Sequence, residues 1–296
     1  MTSIHPDAAI GHDVRIGSRV TISADVVIGD RVEIADGVFI DDGVTIESDV
    51  CIGANTTFAT TLNPQPGITR KPMPIVVRQG ASIGSNATII GGAVIGKNAF
   101  VGHGAVVRSA VPVSSVVEGN PAVIVGYVNS ERRRANDDKA PRPSSTFTAA
   151  NVGDVSIHRM PLIHDLRGNL SVGGFGSNVP FDPKRYFLVF DVPNTEVRGE
   201  HAHRECHQFL ICLRGEISVV VDDGYGTRAE YRLTDPTTGI YLPPMIWGIQ
   251  YQQTADAMLL VFASHEYDPA DYIRDYDEFL VEAAESRLAG SSAGSR

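Results

Sequence analysis

Residues 22–52 read ISADVVIGDRVEIADGVFIDDGVTIESDVCI, and this stretch decides the fold of the N-terminal half of the chain. Isoleucine returns at every sixth position, and the full ladder comprises Ile4, Ile10, Ile16, Ile22, Ile28, Ile34, Ile40, Ile46 and Ile52. A second ladder of valines runs four positions later, from Val14 to Val50. Because a helix repeats its apolar face at three and four positions, a strict period of six excludes an amphipathic helix. The pattern predicts a β-solenoid whose isoleucines point inward and whose corners are turned by glycine or aspartate.

The period is interrupted once and then resumes. Phe58 continues the ladder, and the next ladder residue is Val77, which is 19 positions later instead of six. The insertion of 13 residues is rich in proline and polar side chains. A loop that leaves a rigid array of repeats is a common place for function, so we expect a binding or catalytic role here.

The composition favours two folded domains. The chain has 296 residues, of which 43% are hydrophobic and 20% are charged, and its formal net charge is −10. The acidic balance argues against nucleic acid as a partner, and three cysteines are too few for a disulfide framework. We find neither a signal peptide nor a long apolar run, so we expect a soluble cytoplasmic protein without a membrane span.

The ladder, the loop within it and the EGNPA stretch at residues 118–122 resemble the hexapeptide-repeat acyltransferases. The nucleotide-sugar N-acetyltransferases of deoxyaminosugar synthesis are the most similar branch. The resemblance implies a left-handed parallel β-helix over residues 1–128, a homotrimer, and acetyl-CoA bound in the groove between subunits. In that branch an asparagine of the loop positions the sugar amine. Here Thr60 holds the corresponding position and Asn63 follows three residues later.

The candidate acetyltransferase site therefore contains Thr60 and Asn63, with His103 as a candidate general base. The alternative interpretation is that His103 is a structural or solvated residue. The candidate coenzyme A contacts are Gly102, Gly119, Asn120 and Pro121. We expect no metal in this half, because its histidines lack a close pair. Since Thr60 replaces the asparagine of the family, a solenoid that serves only as a trimerisation scaffold stays open as an alternative.

The period of six ends before residue 129, where the composition changes. Residues 129–151 are charged and rich in proline, serine and threonine, which predicts a linker. The basic run 132–134 within it is interpreted as a solvated segment, with a contact to coenzyme A phosphates as the alternative. Short apolar runs separated by glycine, proline and aspartate fill residues 152–284 and predict a β-sandwich or barrel closed by a short C-terminal helix. We expect residues 285–296 to form a disordered tail.

The stretch RGEHAHRECHQFLICLRG at residues 198–215 is the candidate site of the second half. His201 and His203 alternate on a strand and so face one side of it. Metal-binding cupins place a glutamate and a further histidine nearby, where this chain has Gln208 and Gly248. A neutral amide and a glycine cannot replace those ligands, so we predict a metal-free site. Two histidines without a metal are candidates for proton transfer.

Nearly the whole second half resembles the dTDP-4-keto-6-deoxyhexose 3,4-ketoisomerases, a WxcM-like group. The matching segments are DLRGNL, PFDPKRYFLVFDV, VRGEHAH, ECHQFLICLRG, GIYLPPMIWG and HEYDPADYIRDYDEF. The resemblance implies a cupin-type barrel, or jelly roll, that moves a carbonyl from C4 to C3 through an enediol. It makes His203 the base at C3, His201 its acid/base partner and Arg167 a stabiliser of the enediolate. Arg167 resembles the residue found in ketoisomerases that give the galacto 3-keto product. Gly248 departs from the pattern of those enzymes, in which a histidine can stand at this position.

The resemblance also implies the contacts to the dTDP-sugar. Arg185 and Arg198 suit the diphosphate, and Gln208 stands beside the two histidines. The alternative for each arginine is a surface salt bridge instead of a contact with the diphosphate. Tyr186 and Trp247 are candidates for packing around the sugar or base, with a place in the barrel core as the alternative.

Taken together, the two resemblances imply a bifunctional all-β enzyme that makes a dTDP-3-acetamido-3,6-dideoxyhexose for a surface glycan. An aminotransferase partner has to act between the two steps. The trimeric solenoid family and the dimeric cupin family together imply a hexamer. The alternatives are a ketoisomerase with an inert solenoid, a cupin that binds nucleotide sugar without turnover, and a metal-dependent cupin oxygenase.

Overall fold

The structure is a computed structural model that describes residues 1–61, 73–134, 146–193 and 196–293. The chain divides into two compact units, Met1–Val128 and Asn129–Arg296. Regular structure in the described ranges is β apart from one α-helix and one short 3-10 helix, which confirms the predicted all-β class. In these ranges the single α-helix is not apolar enough over a sufficient length to cross a membrane.

Within the described residues, the first unit contains eighteen short strands arranged in three sheets. The strands are β1 (Ser3–Ile4), β2 (Ala9–Ile10), β3 (Arg15–Ile16), β4 (Thr21–Ile22), β5 (Val27–Ile28), β6 (Glu33–Ile34), β7 (Phe39–Ile40), β8 (Val44–Ile46), β9 (Cys51–Ile52), β10 (Thr57–Ala59), β11 (Ile75–Val77), β12 (Ser82–Ile83), β13 (Thr88–Ile90), β14 (Val94–Ile95), β15 (Phe100–Val101), β16 (Val106–Val107), β17 (Ser115–Glu118) and β18 (Val123–Tyr127). Up to β17, each strand pairs in parallel with a strand of the next coil, so three strands make one coil. The predicted β-solenoid is therefore confirmed.

The isoleucine ladder forms the core of the solenoid. Ile22 pairs with Ile40, Ile40 pairs with Phe58, and Phe58 pairs with Ile89 in one continuous sheet. Phe58 and Ile89 are 31 positions apart instead of 18, so the insertion of 13 residues leaves the register of the stack unchanged. Ladder residues from Ile22 onward are at most 3% exposed, whereas Ile4 is 43% exposed because the first coil has a neighbour on one side only.

The corners of the coils are turned by aspartate and asparagine as well as glycine. Asp13, Asp25 and Asn55 adopt left-handed backbone angles with φ of 56°, 51° and 57°. Glycines that directly follow a ladder isoleucine serve another purpose. A Cβ on Gly53 would lie 2.5 Å from the backbone nitrogen of Ser85 in the next coil, so glycine there permits the coils to stack closely.

The second unit begins at Asn129 and is a two-sheet barrel. Its strands are β19 (Glu131–Arg134), β20 (Thr146–Ala149), β21 (Ser156–Arg159), β22 (Leu162–Asp165), β23 (Gly168–Ser171), β24 (Arg185–Phe190), β25 (Arg198–His203), β26 (Gln208–Arg214), β27 (Ile217–Asp222), β28 (Arg228–Leu233), β29 (Thr238–Leu242), β30 (Trp247–Tyr251), β31 (Met258–Ala263) and β32 (Tyr272–Ile273). A 3-10 helix at Pro269–Asp271 precedes β32, and the α-helix α1 (Tyr276–Ala293) follows it.

Two six-stranded sheets, in the orders β19-β28-β27-β30-β25-β32 and β20-β21-β29-β26-β31-β24, share one apolar core. Val219 on β27 belongs to the first sheet, and Leu210 on β26 and Val261 on β31 belong to the second. All three side chains are at most 3% exposed. This arrangement confirms the predicted cupin-type barrel and leaves the inner faces of β25 and β26 available for a site.

The structure places regular elements inside two segments that the sequence predicts to be irregular. The predicted linker contains β19, which pairs in parallel with β28, and β20, which pairs with β21, so the basic run 132–134 is part of a strand. Each strand extends the edge of a sheet, where backbone groups are free to pair, and composition gives little sign of that. Helix α1 extends to Ala293, within the predicted tail. Residues 135–145 and 294–296 lie outside the described residues.

The buried ladder gives a stability prediction. Phe58 is fully buried, whereas Phe39 lies on the neighbouring strand with its ring 39% exposed on the outer face. We expect Phe58→Ala to lower the free energy of unfolding of the solenoid by about 3–5 kcal/mol through the cavity it leaves, and Phe39→Ala to lower it by much less. Thermal unfolding followed by far-UV circular dichroism measures both. Equal losses from the two variants would contradict the inward stacking of the ladder.

Candidate active site

A cavity lies inside the barrel of the second unit, where the predicted histidine pair meets three other strands. Its lining comprises His201, His203, Cys206, Gln208, Leu242, Pro243, Ile246, Gly248 and Gln250. Strands β25 and β26 supply the polar end of the cavity, and the stretch from Leu242 to Ile246 supplies most of the apolar wall. The structure thus brings His201, His203 and Gln208 together as the sequence predicts.

A β-bulge in β25 shapes this end of the cavity. The register against β30 shifts between Gly199 and His201, and Gly199 and Glu200 have positive φ angles of 83° and 52°. A Cβ on Gly199 would lie 2.5 Å from the carbonyl oxygen of Gly248, so only glycine fits that position without a shift. Burial raises the pKa of Glu200. Bulges of this kind commonly redirect side chains next to active sites.

His203 is 5% exposed and is held at both ring nitrogens. Its Nδ1 lies 2.6 Å from Oδ2 of Asp271, and its Nε2 lies 3.0 Å from the amide nitrogen of Gln208. Because a carboxylate accepts hydrogen bonds, Nδ1 carries the proton and Nε2 keeps its lone pair. Burial lowers the pKa of His203 to about 4, although the bond to Asp271 works in the opposite direction. The ring is therefore a neutral base at neutral pH.

His201 has the same tautomer as its neighbour. Its Nδ1 donates to the carbonyl oxygen of Gly199 at 2.9 Å, so its Nε2 is also unprotonated. Burial is the main reason that the pKa of His201 is lowered. The centroids of the His201 and His203 rings are 5.0 Å apart. Both imidazoles are neutral with an unprotonated Nε2, and Nε2 of His203 accepts a hydrogen bond from the Gln208 amide, so the pair suits proton transfer to and from a small bound molecule.

Asp271 is the functional residue that the sequence reasoning missed. It lies in the 3-10 helix Pro269–Asp271, and its Oδ1 accepts the backbone N–H of Glu205 at 2.7 Å. Burial works to raise the pKa of Asp271, but the hydrogen bonds from Glu205 and His203 hold it below the ordinary value. The only sequence signal was its place in the closing segment HEYDPADYIRDYDEF. An aspartate 68 positions after His203 gives no local sign that the two side chains meet.

Tyr272 and Arg185 extend the polar end of the site. The ring centroid of Tyr272 lies 4.3 Å from that of His203 and 5.0 Å from that of His201, and its hydroxyl accepts a hydrogen bond from Arg185 at 3.3 Å. Within the described part of the chain, the buried Nε of Arg185 has no hydrogen-bond partner. Burying a cationic group without an anion is costly, so Arg185 fits an anionic ligand.

Besides Arg185, four predicted residues do not lie among the cavity-lining residues. Tyr186 is 67% exposed, and Trp247 packs against Tyr276 and Phe279 of α1 at centroid distances of 5.2 and 5.5 Å. Strand neighbours face opposite sides, so Tyr186 and Trp247 point away from the side that Arg185 and Gly248 face. The buried Trp247 fits the alternative of a core position, and packing of either ring around the sugar or base stays a prediction. The other two are Arg167, which is exposed at the turn between β22 and β23, and Arg198, which is exposed at the start of β25.

The described residues contain one group that could hold a metal ion. The ligand atoms of His203, Cys206 and Asp271 all lie within 4.8 Å of one another. Here, however, Nδ1 of His203 donates to the Asp271 carboxylate, so a cation would have to displace the proton that joins them. The metal-free site stays a prediction.

Thr60 anchors the inserted loop of the solenoid. Its side chain is fully buried and donates to the carboxylate of Asp41 at 2.8 Å. Its carbonyl oxygen accepts the backbone N–H of Met73 at 2.9 Å, which joins the two ends of the loop. Asn63 lies outside the described residues.

His103 lies at an exposed corner of the solenoid, where its Nδ1 accepts the backbone N–H of Ser85 at 2.8 Å. Asp30 accepts the N–H of His12 in the same way one coil apart. Because Nδ1 accepts, the neutral ring carries its proton on Nε2, which makes the outward nitrogen a donor rather than a base.

The candidate coenzyme A contacts comprise the buried Gly102 and three exposed residues between β17 and β18, namely Gly119, Asn120 and Pro121.

Comparison with protein families assigns both units. Residues 153–284 match the family described as WxcM-like, C-terminal. Residues 8–42 match the hexapeptide repeat of succinyl-transferase, and residues 74–109 match the bacterial transferase hexapeptide family of six repeats.

Individual proteins resemble one unit or the other. The TDP-4-oxo-6-deoxy-alpha-D-glucose-3,4-oxoisomerase of Aneurinibacillus thermoaerophilus is 40% identical over 126 residues, which cover 43% of this chain and 90% of that protein. A sugar 3,4-ketoisomerase of Thermoanaerobacterium thermosaccharolyticum, solved in complex with TDP, is 34% identical over 45% of this chain and 97% of its own, with a TM-score of 0.44. A hexapeptide-repeat acetyltransferase of Vibrio cholerae, solved with acetyl coenzyme A, is 29% identical over 40% of this chain and 70% of its own, with a TM-score of 0.38.

The lowered pKa of His203 makes the stability of the second unit depend on pH. Above the ordinary value of 6.5 both the folded and the unfolded chain hold a neutral ring, and the stability is fully present. As the pH falls from 6.5 towards about 4, only the unfolded chain binds the proton, so the free energy of unfolding decreases. We expect this ring to account for up to about 3 kcal/mol of the decrease.

Urea unfolding at pH 7 and pH 5 measures the effect through fluorescence of Trp247, the single tryptophan of the chain. The variant His203→Asn, which can still donate to Asp271, should show a smaller loss between the two pH values. An equal loss in both proteins would mean that His203 is not buried in its neutral form.

Proposed function

This chain belongs to the WxcM-like family through residues 153–284, and on that premise we propose that its second unit is a sugar 3,4-ketoisomerase. The substrate is dTDP-4-keto-6-deoxyglucose, as the name of the relative from Aneurinibacillus thermoaerophilus suggests. The observation that carries the proposal is the buried pair of His203 and Asp271 beside His201 in one cavity.

The chemistry follows from the tautomers of the two rings. The ketone at C4 acidifies the proton at C3, and Nε2 of His203 removes it to give an enediolate. Asp271 accepts a hydrogen bond from Nδ1 and so stabilises the imidazolium that forms. The proton then returns to carbon at C4, while the hydroxyl proton moves from O3 to O4 through Nε2 of His201. The net change is an isomerisation that needs no other reactant.

Arg185 supports a nucleotide diphosphate as the anchor of the substrate. Its partly buried guanidinium is held by Tyr272 and leaves Nε without a partner in the described part of the chain. A charge-assisted hydrogen bond to a phosphate oxygen would satisfy that nitrogen. Gly248 pairs with His201 across β25 and β30, and a Cβ at this position would lie 3.0 Å from Cδ2 of Leu242 in the cavity wall.

The test follows the sugar by NMR in D2O with purified protein and dTDP-4-keto-6-deoxyglucose. Deuterium at C3 or C4 and a new 3-keto sugar are expected, and the coupling at C4 gives its configuration, for which we favour galacto. His203→Asn should lower kcat by about 100-fold to 10,000-fold with dTDP binding retained. His158→Asn is the matched control, because His158 is also partly buried with a lowered pKa but lies outside the cavity lining.

Two results would contradict the proposal. If the wild-type protein binds the nucleotide sugar without any exchange, the second unit is a binding cupin. If dialysis against a chelator abolishes turnover and one equivalent of metal restores it, the chain is a metal-dependent cupin instead. Unchanged turnover in His203→Asn would leave the isomerase in place but refute His203 as its base.

For the first unit we propose acetylation of a dTDP-3-amino-3,6-dideoxyhexose by acetyl-CoA. The support is that transferase hexapeptide repeats match residues 8–42 and 74–109 on both sides of the inserted loop. The isomerase product carries a ketone at C3, so an aminotransferase has to convert it into the amine before acetylation. Trimerisation of the solenoid and pairing of the barrels would give a hexamer.

Acetylation is tested with dTDP-3-amino-3,6-dideoxyhexose and acetyl-CoA by release of free thiol. We expect activity in the wild-type protein and at least about a 100-fold loss in Asn63→Ala if the loop positions the amine. His103→Asn should retain activity, because the amide oxygen can still accept the N–H of Ser85. A trimer that shows no transfer would favour the alternative of a solenoid that serves only as a scaffold.

A further inference from the structure

Arg204 directly follows His203 and holds the segment that carries Asp271. Three consecutive carbonyl oxygens accept hydrogen bonds from this one residue. The backbone N–H of Arg204 donates to Asp271 at 2.9 Å, and its Nη1 donates to Ala270 at 2.7 Å and to Tyr272 at 3.2 Å. No other ion pair described in the barrel includes the neighbour of a cavity histidine.

The other edge of the guanidinium is bound by helix α1. Its Nε lies 2.9 Å from Oε2 of Glu282, and its Nη2 lies 2.5 Å from Oε1 of Glu282 and 2.8 Å from Glu278. The fork-shaped contact with Glu282 uses two nitrogens at once, which lysine cannot reproduce. The Arg204 hydrogen bonds help hold the pKa of Glu282 below its ordinary value.

We propose that Arg204 is a positioning residue of the isomerase, fixing the Asp271 carboxylate against His203 and so setting the tautomer of the base. This inference rests on the proposed function of the second unit. The carboxylate lies between two anchors: the Glu205 N–H on Oδ1 and His203 on Oδ2. Both anchors stand on β25 and the residues after it, while Asp271 stands on the closing segment. The pairing of β32 with β25 holds the end of that segment, and Arg204 adds the hydrogen bonds that hold residues 270–272.

A positioning role for Arg204 predicts an effect on the rate of the reaction, whereas a salt bridge that only stabilises the fold does not. Without the Arg204 side chain the closing segment is held at Ala270 and Tyr272 less firmly, so Asp271 no longer fixes the proton on Nδ1 of His203. A fraction of the rings then carries the proton on Nε2 and cannot accept the proton from C3. Substrate binding does not depend on that proton, so kcat should fall while KM stays nearly constant.

The test compares Arg204→Met and Arg204→Lys with Arg214→Met. Arg214 forms an exposed ion pair with Asp256 and no contact with a residue of the site is described for it, which makes it the matched control. We expect kcat to fall by about tenfold to a hundredfold in both Arg204 variants, with KM within about threefold of the wild type. Arg214→Met should keep both constants. Equal kinetics in Arg204→Met and Arg214→Met would overturn the proposal.

A double-mutant cycle separates positioning from a general effect on folding. If Arg204 acts through Asp271, Arg204→Met should cause little further loss of kcat in the background of Asp271→Asn. Independent, multiplying losses would overturn the proposal. Glu282→Gln provides a second variant that leaves the Arg204 bonds to the backbone in place, and it should lower kcat less than Arg204→Met.

Nitrogen-15 NMR of labelled histidine gives a readout that does not require turnover. The wild-type protein should show His203 with the proton on Nδ1, and Arg204→Met should show both tautomers while Trp247 fluorescence reports an intact fold. If the wild-type protein has no turnover but Arg204→Met still changes the His203 tautomer, the result refutes the isomerase and not the positioning role of Arg204. An unchanged tautomer in Arg204→Met would refute the positioning even in an active isomerase.

Discussion

The hydrogen bond between His203 and Asp271 is the constraint on which the site depends. It is 2.6 Å long, joins residues 68 positions apart, and fixes the proton on the nitrogen that faces away from Gln208. Burial lowers the pKa of the ring, so Nε2 is unprotonated at neutral pH and accepts a hydrogen bond from the Gln208 amide. The bulge in β25, the 3-10 helix and the contacts of α1 all serve to hold two side chains from distant segments in this one geometry.

Strand alternation decides which other residues can take part. His201 and His203 share a face of β25, and Gly248 faces His201 from β30, so Trp247 must face the helix. Gly248 and Gln208 stand where the sequence comparison with metal-binding cupins expects a histidine and a glutamate. The proposed acid/base chemistry relies instead on the two histidines and the distant carboxylate of Asp271.

The solenoid and the barrel strands could be predicted from sequence because their patterns are local. A period of six needs only neighbouring coils, and Ile40 is buried for the same reason as Ile22. The two histidines could be placed on one face by counting along one strand. Asp271 could not be found that way, since its contact with β25 is made through tertiary structure. The edge strand β19 lies in the predicted linker, because a charged composition gives little sign of strand pairing at a sheet edge.

The order of these residues along the chain determines when the site can form during synthesis of the protein. A ribosome makes His201 and His203 well before the 3-10 helix that carries Asp271 and the helix that carries Glu282. While the nascent chain is incomplete, the barrel strands can pair, but the histidine has no carboxylate and its tautomer is not fixed. In the proposed isomerase, proton transfer by His203 therefore requires that these two helices have been synthesised and have docked on β25. A chain released early from the ribosome would hold a histidine pair that resembles the site and lacks its chemistry.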